Sequence, residues 1–322
     1  MSQFNYKNYL QRKKMELVEL KKYYLEKRAF EYENKTPLKN FSIRKIIHPL
    51  PLAIITMARI AEGQKLHILG NKSEQTQNPI IFASTHCHPE DPSIAFEAIR
   101  KHAYLFLGDP EDVYQKIEGL LLDLNGVIYL ETRVKEEYIK ELISKGLITE
   151  KEIEYIKKLI KQDRKIAYQR AVEVLKNKTN LLIFPEGAVN LTPNLPVMGL
   201  YPGTVKMALE TGAEIVPMAL ERYGNHIYAN IGSNIRVTDR GATSIQFYNE
   251  KLRDALATLK WEIWEYQGIQ SRTMCPTEEE FINQIMSTSD FIYSVEDIYE
   301  TMYRDKNITS PEEVFQLKKS IR

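Results

Sequence analysis

Short apolar runs alternate with longer amphipathic stretches through the middle of this chain. The runs predict strands near Lys65–Ile68, Pro79–Ala83, Ala103–Leu107, Val127–Leu130, Asn180–Phe184 and Glu214–Leu220, with a further one near Ile235–Val237. Helical spacing falls between them, over Pro92–Arg100, Pro110–Leu122, Arg164–Leu175 and Thr204–Glu210. Strands that alternate with helices predict an α/β fold with a mostly parallel sheet flanked by helices.

Three stretches stand apart from that alternation. Residues 1–40 place Leu17, Leu20, Tyr24 and Leu25 at helical spacing among Lys13, Lys14, Lys21, Lys22, Lys27 and Arg28, which predicts an amphipathic helical N-terminal extension. Residues 134–166 are dense in Lys, Glu and Ile, too long for a plain connection, and predict an inserted helical hairpin turned near Gly146. Residues 261–322 predict a helical C-terminal extension, which leaves 41–260 as the α/β domain. The apolar segment from Leu50 to Ala58 is shorter than the roughly 20 residues that cross a bilayer. It is expected to be a core helix, with a surface helix as the other reading.

Composition narrows the function classes. A chain that is 43% hydrophobic and 27% charged is ordinary for a globular protein. A formal charge of +1 supplies no general attraction to nucleic acid. Met1 opens a polar stretch instead of a signal peptide's apolar region, and Cys87 and Cys275 share no metal-ligand spacing. A reducing, cytoplasmic location is the expectation.

Chemistry gathers just past two strand ends, where open α/β sheets place their sites. The first group is His86-Cys87-His88-Pro89-Glu90-Asp91-Pro92. A carboxylate five residues after a histidine, across a strand-to-helix turn, can fix the imidazole tautomer and leave the other ring nitrogen as a general base. Asp91-Pro92 also reads as a helix start with Asp at the N-cap. His86, His88 and Asp91 could instead hold a metal, as in a metal-dependent hydrolase. The second group is Phe184-Pro185-Glu186-Gly187, a carboxylate and a flexible glycine after a buried run.

Taken together, these segments resemble the glycerolipid acyltransferase family, the 1-acyl-sn-glycerol-3-phosphate acyltransferase-like enzymes. Their first motif, His-x4-Asp, matches His86 and Asp91, and their Phe-Pro-Glu-Gly motif stands intact at Phe184 to Gly187. The apolar strand with a central proline that closes the family pattern is similar to Ile215–Leu220, preceded by the small-residue stretch Gly203–Ala208. The second motif departs. The family has an arginine six residues after a glycine, whereas Arg133 stands seven after Gly126.

The resemblance implies transfer of a fatty acyl group from acyl-CoA or acyl-carrier protein to the hydroxyl of a glycerol-phosphate or lysophospholipid, without a cofactor. It implies His86 as base, Asp91 as its partner, and Pro185, Glu186 and Gly187 around the acceptor, with Arg133 on its phosphate. The expected setting is a peripheral one, on the inner face of a membrane. A lipid-binding protein that has lost its chemistry is a further reading.

Overall fold

The computed structural model describes residues 41–108, 124–130, 143, 144, 146, 148–191 and 195–268. The N-terminal extension 1–40, the helix expected over Pro110–Leu122, Arg133, Cys275 and the chain after 268 lie outside the described residues.

Two helices, α1 (Phe41–Ile47) and α2 (Pro49–Ala61), lead into the sheet. Then follow β1 (Lys65–Asn71), β2 (Ile80–Ser84), α3 (Asp91–Ile99), β3 (Ala103–Gly108) and β4 (Val127–Leu130). The chain continues through α4 (Glu150–Lys176), β5 (Asn180–Ile183), α5 (Gly203–Thr211), β6 (Glu214–Tyr223), β7 (His226–Ile231) and α6 (Ser244–Tyr266). The seven strands form one sheet in the order β1-β7-β6-β2-β5-β3-β4. Strands β6, β2, β5, β3 and β4 run parallel. β7 returns antiparallel to β6, and β1 runs parallel to β7. The expected α/β architecture with a mostly parallel sheet is the observed one.

The central strands read as unbroken apolar runs because both faces of the sheet are covered. One face puts Ile81, Ala83, Leu181 and Ile183 against Ala171 and Leu175 of α4, Val205 and Ala208 of α5, and Leu252 and Leu256 of α6. The other puts Ile80, Phe82, Leu182, Val216, Met218 and Leu220 against Ile94, Ala95 and Phe96 of α3. Alternate residues of each strand therefore feed two separate cores.

Several expected elements differ in extent. Strand β7 replaces the strand expected at Ile235–Val237, where only a single bridge from Ile235 to Ile215 forms. Its hairpin with β6 turns through Gly224-Asn225, with Gly224 at φ +56°, and Tyr223 pairs with His226. That glycine-containing two-residue turn is a hairpin signal in its own right. The helix expected at Arg164–Leu175 begins much earlier. Thr149 and Glu152 form a reciprocal capping box, and one helix runs from Glu150 to Lys176. At the other end, α6 crosses position 260 without a break, and Trp264 packs in the interior.

The segment Leu50–Ala58 forms most of α2, but it is not a fully packed core helix. It buries Pro51 and Ile55 and leaves Leu50 and Met57 exposed, with Ile60 beyond them. Ile43 and Ile46 of α1 are exposed as well.

Candidate active site

Parallel pairing brings the two motifs together. Ala83 of β2 lies opposite Ile183 of β5, so His86 and Glu186 each stand three residues past that pair. On the other side of β2, Ser84 pairs with Met218 of β6, and the Thr85 amide donates to the Met218 carbonyl at 3.0 Å. The Thr85 hydroxyl lies between the Leu220 amide and carbonyl, at 2.9 and 3.3 Å. Both neighbouring strands thus hold the backbone that carries His86.

His86 Nδ1 is 3.0 Å from Asp91 Oδ2. The same oxygen accepts the backbone N–H groups of Cys87 at 2.6 Å and His88 at 2.8 Å. Asp91 is the first residue of α3, with Glu90 at the N-cap position. Its carboxylate therefore turns back into the loop instead of capping the helix, which corrects the N-cap expectation. Burial alone would push this carboxyl up. The hydrogen bond and charge of His86, the Cys87 amide and the charge of His88 outweigh it, so its pKa sits below the usual value. An Asp kept ionised at Nδ1 leaves Nε2 of His86 as the acceptor for an incoming proton. The ring of Phe184 lies 4.4 Å from the imidazole and tilts over it.

Glu186 is 0% exposed. Its Oε1 accepts the His86 N–H at 3.2 Å, and its Oε2 accepts the Met198 N–H at 2.7 Å and Asn190 Nδ2 at 3.4 Å. Asn190 ties the loop further, with its amide on the His86 carbonyl at 2.6 Å and Nδ2 on the Leu195 carbonyl at 2.9 Å. Burial raises the pKa of Glu186; the Met198 amide, the Lys260 charge and the His86 amide only partly offset this. Gly187 follows at φ +66°, and a side chain there would meet Tyr201 at 2.6 Å. The Tyr201 amide donates to the Pro185 carbonyl at 2.9 Å. Pro185, Glu186 and Gly187 thus share one turn beside His86.

A buried ion pair lies behind this turn. Lys260 of α6 is 1% exposed and Glu221 of β6 is 1% exposed, with Nζ 3.1 Å from Oε2. Lys260 also donates to the Leu220 carbonyl, the atom reached by the Thr85 hydroxyl and the Cys87 thiol. Trp264 Nε1 donates to Glu221 Oε2 at 2.7 Å. Lys260, Glu221 and Trp264 belong to none of the motifs. The one signal was a lysine on the apolar stripe that Leu252, Leu256, Ile263 and Trp264 form along α6.

The side chains of His88 and Glu90 have partners outside the dyad. His88 Nδ1 accepts the Glu90 amide at 3.3 Å, and Glu90 meets Arg222 and Gln64. Among the described residues, no three His, Cys, Asp or Glu side chains are arranged to hold a metal ion.

A family model described as Acyltransferase matches residues 65–221, the stretch that contains both motifs, strands β1 to β5 and most of β6. No curated protein matches the chain. Among solved structures, the chain is similar to the crystal structure of PlsC, the 1-acyl-sn-glycerophosphate (LPA) acyltransferase from Thermotoga maritima. The identity is 14% and the TM-score 0.48, over 80% of this chain and 97% of that one.

Proposed function

We propose, on the premise that residues 65–221 belong to the glycerolipid acyltransferase family and make this chain an acyltransferase, that it moves a fatty acyl group from a thioester to the hydroxyl of a glycerol-phosphate or lysophospholipid. The observation that carries the mechanism is the His86 Nδ1–Asp91 Oδ2 contact of 3.0 Å on a rigid strand-end platform. In this reading Nε2 of His86 takes the proton of the acceptor hydroxyl as its oxygen attacks the thioester carbonyl. The proton then passes to the departing thiolate of CoA or acyl-carrier protein. Asp91 holds the tautomer and stabilises the imidazolium.

Glu186 acts through protein atoms in this reading. Its carboxylate fixes the backbone of His86 and of Met198, while the Gly187 turn and Pro185 face the acceptor. Arg133, outside the described residues, is kept as a phosphate partner.

No helix among the described residues is long and apolar enough to cross a membrane. The lipid acceptor is met instead at the cytoplasmic face of a bilayer. Exposed Ile43, Ile46, Leu50, Met57 and Ile60 on α1 and α2, with the basic N-terminal segment before them, would rest on that surface. The deciding experiment follows release of free CoA thiol from acyl-CoA with 1-acylglycerol 3-phosphate. Thiol release above the uncatalysed rate by the unmodified chain, absent in His86→Ala, supports the reading. Equal rates in both overturn it.

A further inference from the structure

Arg222 is a cation beside the catalytic turn that the mechanism above does not use. Val216, Met218 and Leu220 of β6 face α3, and Arg222 continues that row at the strand end, on the edge that carries His86. Its Nη2 lies 2.5 Å from Glu90 Oε2, and Glu90 directly precedes Asp91. The arginine side chain is 16% exposed and the glutamate 33%. Arg222 Nε is buried and has no hydrogen-bond partner among the described residues.

The geometry of the guanidinium gives that vacancy a meaning. Nε and Nη2 lie along one edge of the planar group, the edge that takes a carboxylate or phosphate through two parallel bonds. Glu90 fills the Nη2 half alone. Leaving a buried donor unmatched is unfavourable, and an anion able to present two oxygens side by side would satisfy both. Glu90 has a second hold, since Gln64 Nε2 donates to the same Oε2 at 3.3 Å. It can therefore surrender the arginine without losing its own anchor.

We infer that Arg222 receives the phosphate of the acceptor, and that Glu90 occupies this position until the substrate displaces it. The inference rests on the acyl-transfer reading above, and it adds a phosphate partner at the end of β6 to the one kept at Arg133.

Its test compares 1-acylglycerol 3-phosphate with 1-monoacylglycerol as acceptors, reading the ratio of their kcat/KM values in the unmodified chain, Arg222→Gln and Glu90→Gln. Loss of a charge-assisted phosphate contact should lower the ratio about 10- to 100-fold in Arg222→Gln. Glu90→Gln, with a weaker competitor for the arginine, should raise it. Ratios unchanged in both variants while transfer persists overturn the inference and leave the acyl-transfer reading standing. If the unmodified chain transfers nothing, calorimetric titration with glycerol 3-phosphate decides: binding lost in Arg222→Gln but tightened in Glu90→Gln retains the site, and equal binding in all three removes it. Thermal midpoints of both variants separate a change of preference from loss of fold.

Discussion

Glu186 grips His86 by its backbone: Oε1 accepts the His86 N–H at 3.2 Å while Oε2 accepts the Met198 N–H at 2.7 Å. The carboxylate of one motif thus sets the position of the histidine in the other. Glu186→Ala would leave two amide donors near the interior unmatched, at about 1–3 kcal/mol each. The expected outcome is a lower thermal midpoint together with a lower kcat. A rise confined to the acceptor KM, with kcat and midpoint intact, would place Glu186 on the substrate instead.

The dyad makes two separable predictions. His86→Ala should cut kcat by about 10²–10⁴-fold, the usual contribution of a general base, with the fold retained by circular dichroism. Asp91→Asn removes a charge and also disturbs the turn, because Oδ2 accepts three N–H groups when His86 Nδ1 carries its proton. It should lower both kcat and stability, and near-normal values of both would remove Asp91 from the mechanism.

Acid should weaken the fold through His102. Burial, with the nearby charges of His48, Arg44 and Lys45, brings this imidazole down to about 4, even though its bond to the Asn125 carbonyl works the other way. Between that value and the ordinary 6.5 the unfolded chain binds a proton that the folded chain refuses. Stability is therefore full above pH 6.5 and falls as pH drops toward 4, by at most about 3 kcal/mol. Urea midpoints measured across that range should show the slope, and His102→Gln should flatten it.

Gly187→Ala should distort the second motif without touching a charged group. Its φ of +66° disfavours a side chain, and the new Cβ would lie 2.6 Å from the Tyr201 ring. The expected result is a higher acceptor KM that Tyr201→Ala partly restores in the double variant. No relief in the double variant would trace the effect to the backbone alone.

Membrane attachment is tested on α2. Leu50→Asp with Met57→Asp removes two exposed apolar side chains, each of which contributes about 1.5–3 kcal/mol when buried. Co-sedimentation with anionic liposomes should fall at least about tenfold. Unchanged binding would move the contact elsewhere.

Particular residues show what could be read in advance. The buried strands and the His86–Asp91 turn were legible because apolar runs and a five-residue spacing are local signals. Strand β7 carried a local signal as well, with Ile227, Ala229 and Ile231 alternating with His226, Tyr228 and Asn230 after a glycine-containing turn, although the strand was expected at Ile235–Val237 instead; Asn230 is buried, and Glu262 Oε2 accepts its Nδ2–H at 2.6 Å. The burial of Glu186 and its hold on two backbone amides were not legible, because they are properties of the assembled sheet. Lys260 and Arg222 belong to no motif; Lys260 reaches the Leu220 carbonyl from α6 and Arg222 meets Glu90 from the end of β6, placements that only the assembled fold creates.

The two dyad residues sit five positions apart, yet the scaffold that steadies them reaches from Thr85 to Lys260. A fragment cut before α6 would keep both His86 and Asp91 and lose the buried cation behind them. Turnover should therefore appear late in refolding, after the long-range strands have paired, and can serve as a gauge of the finished molecule.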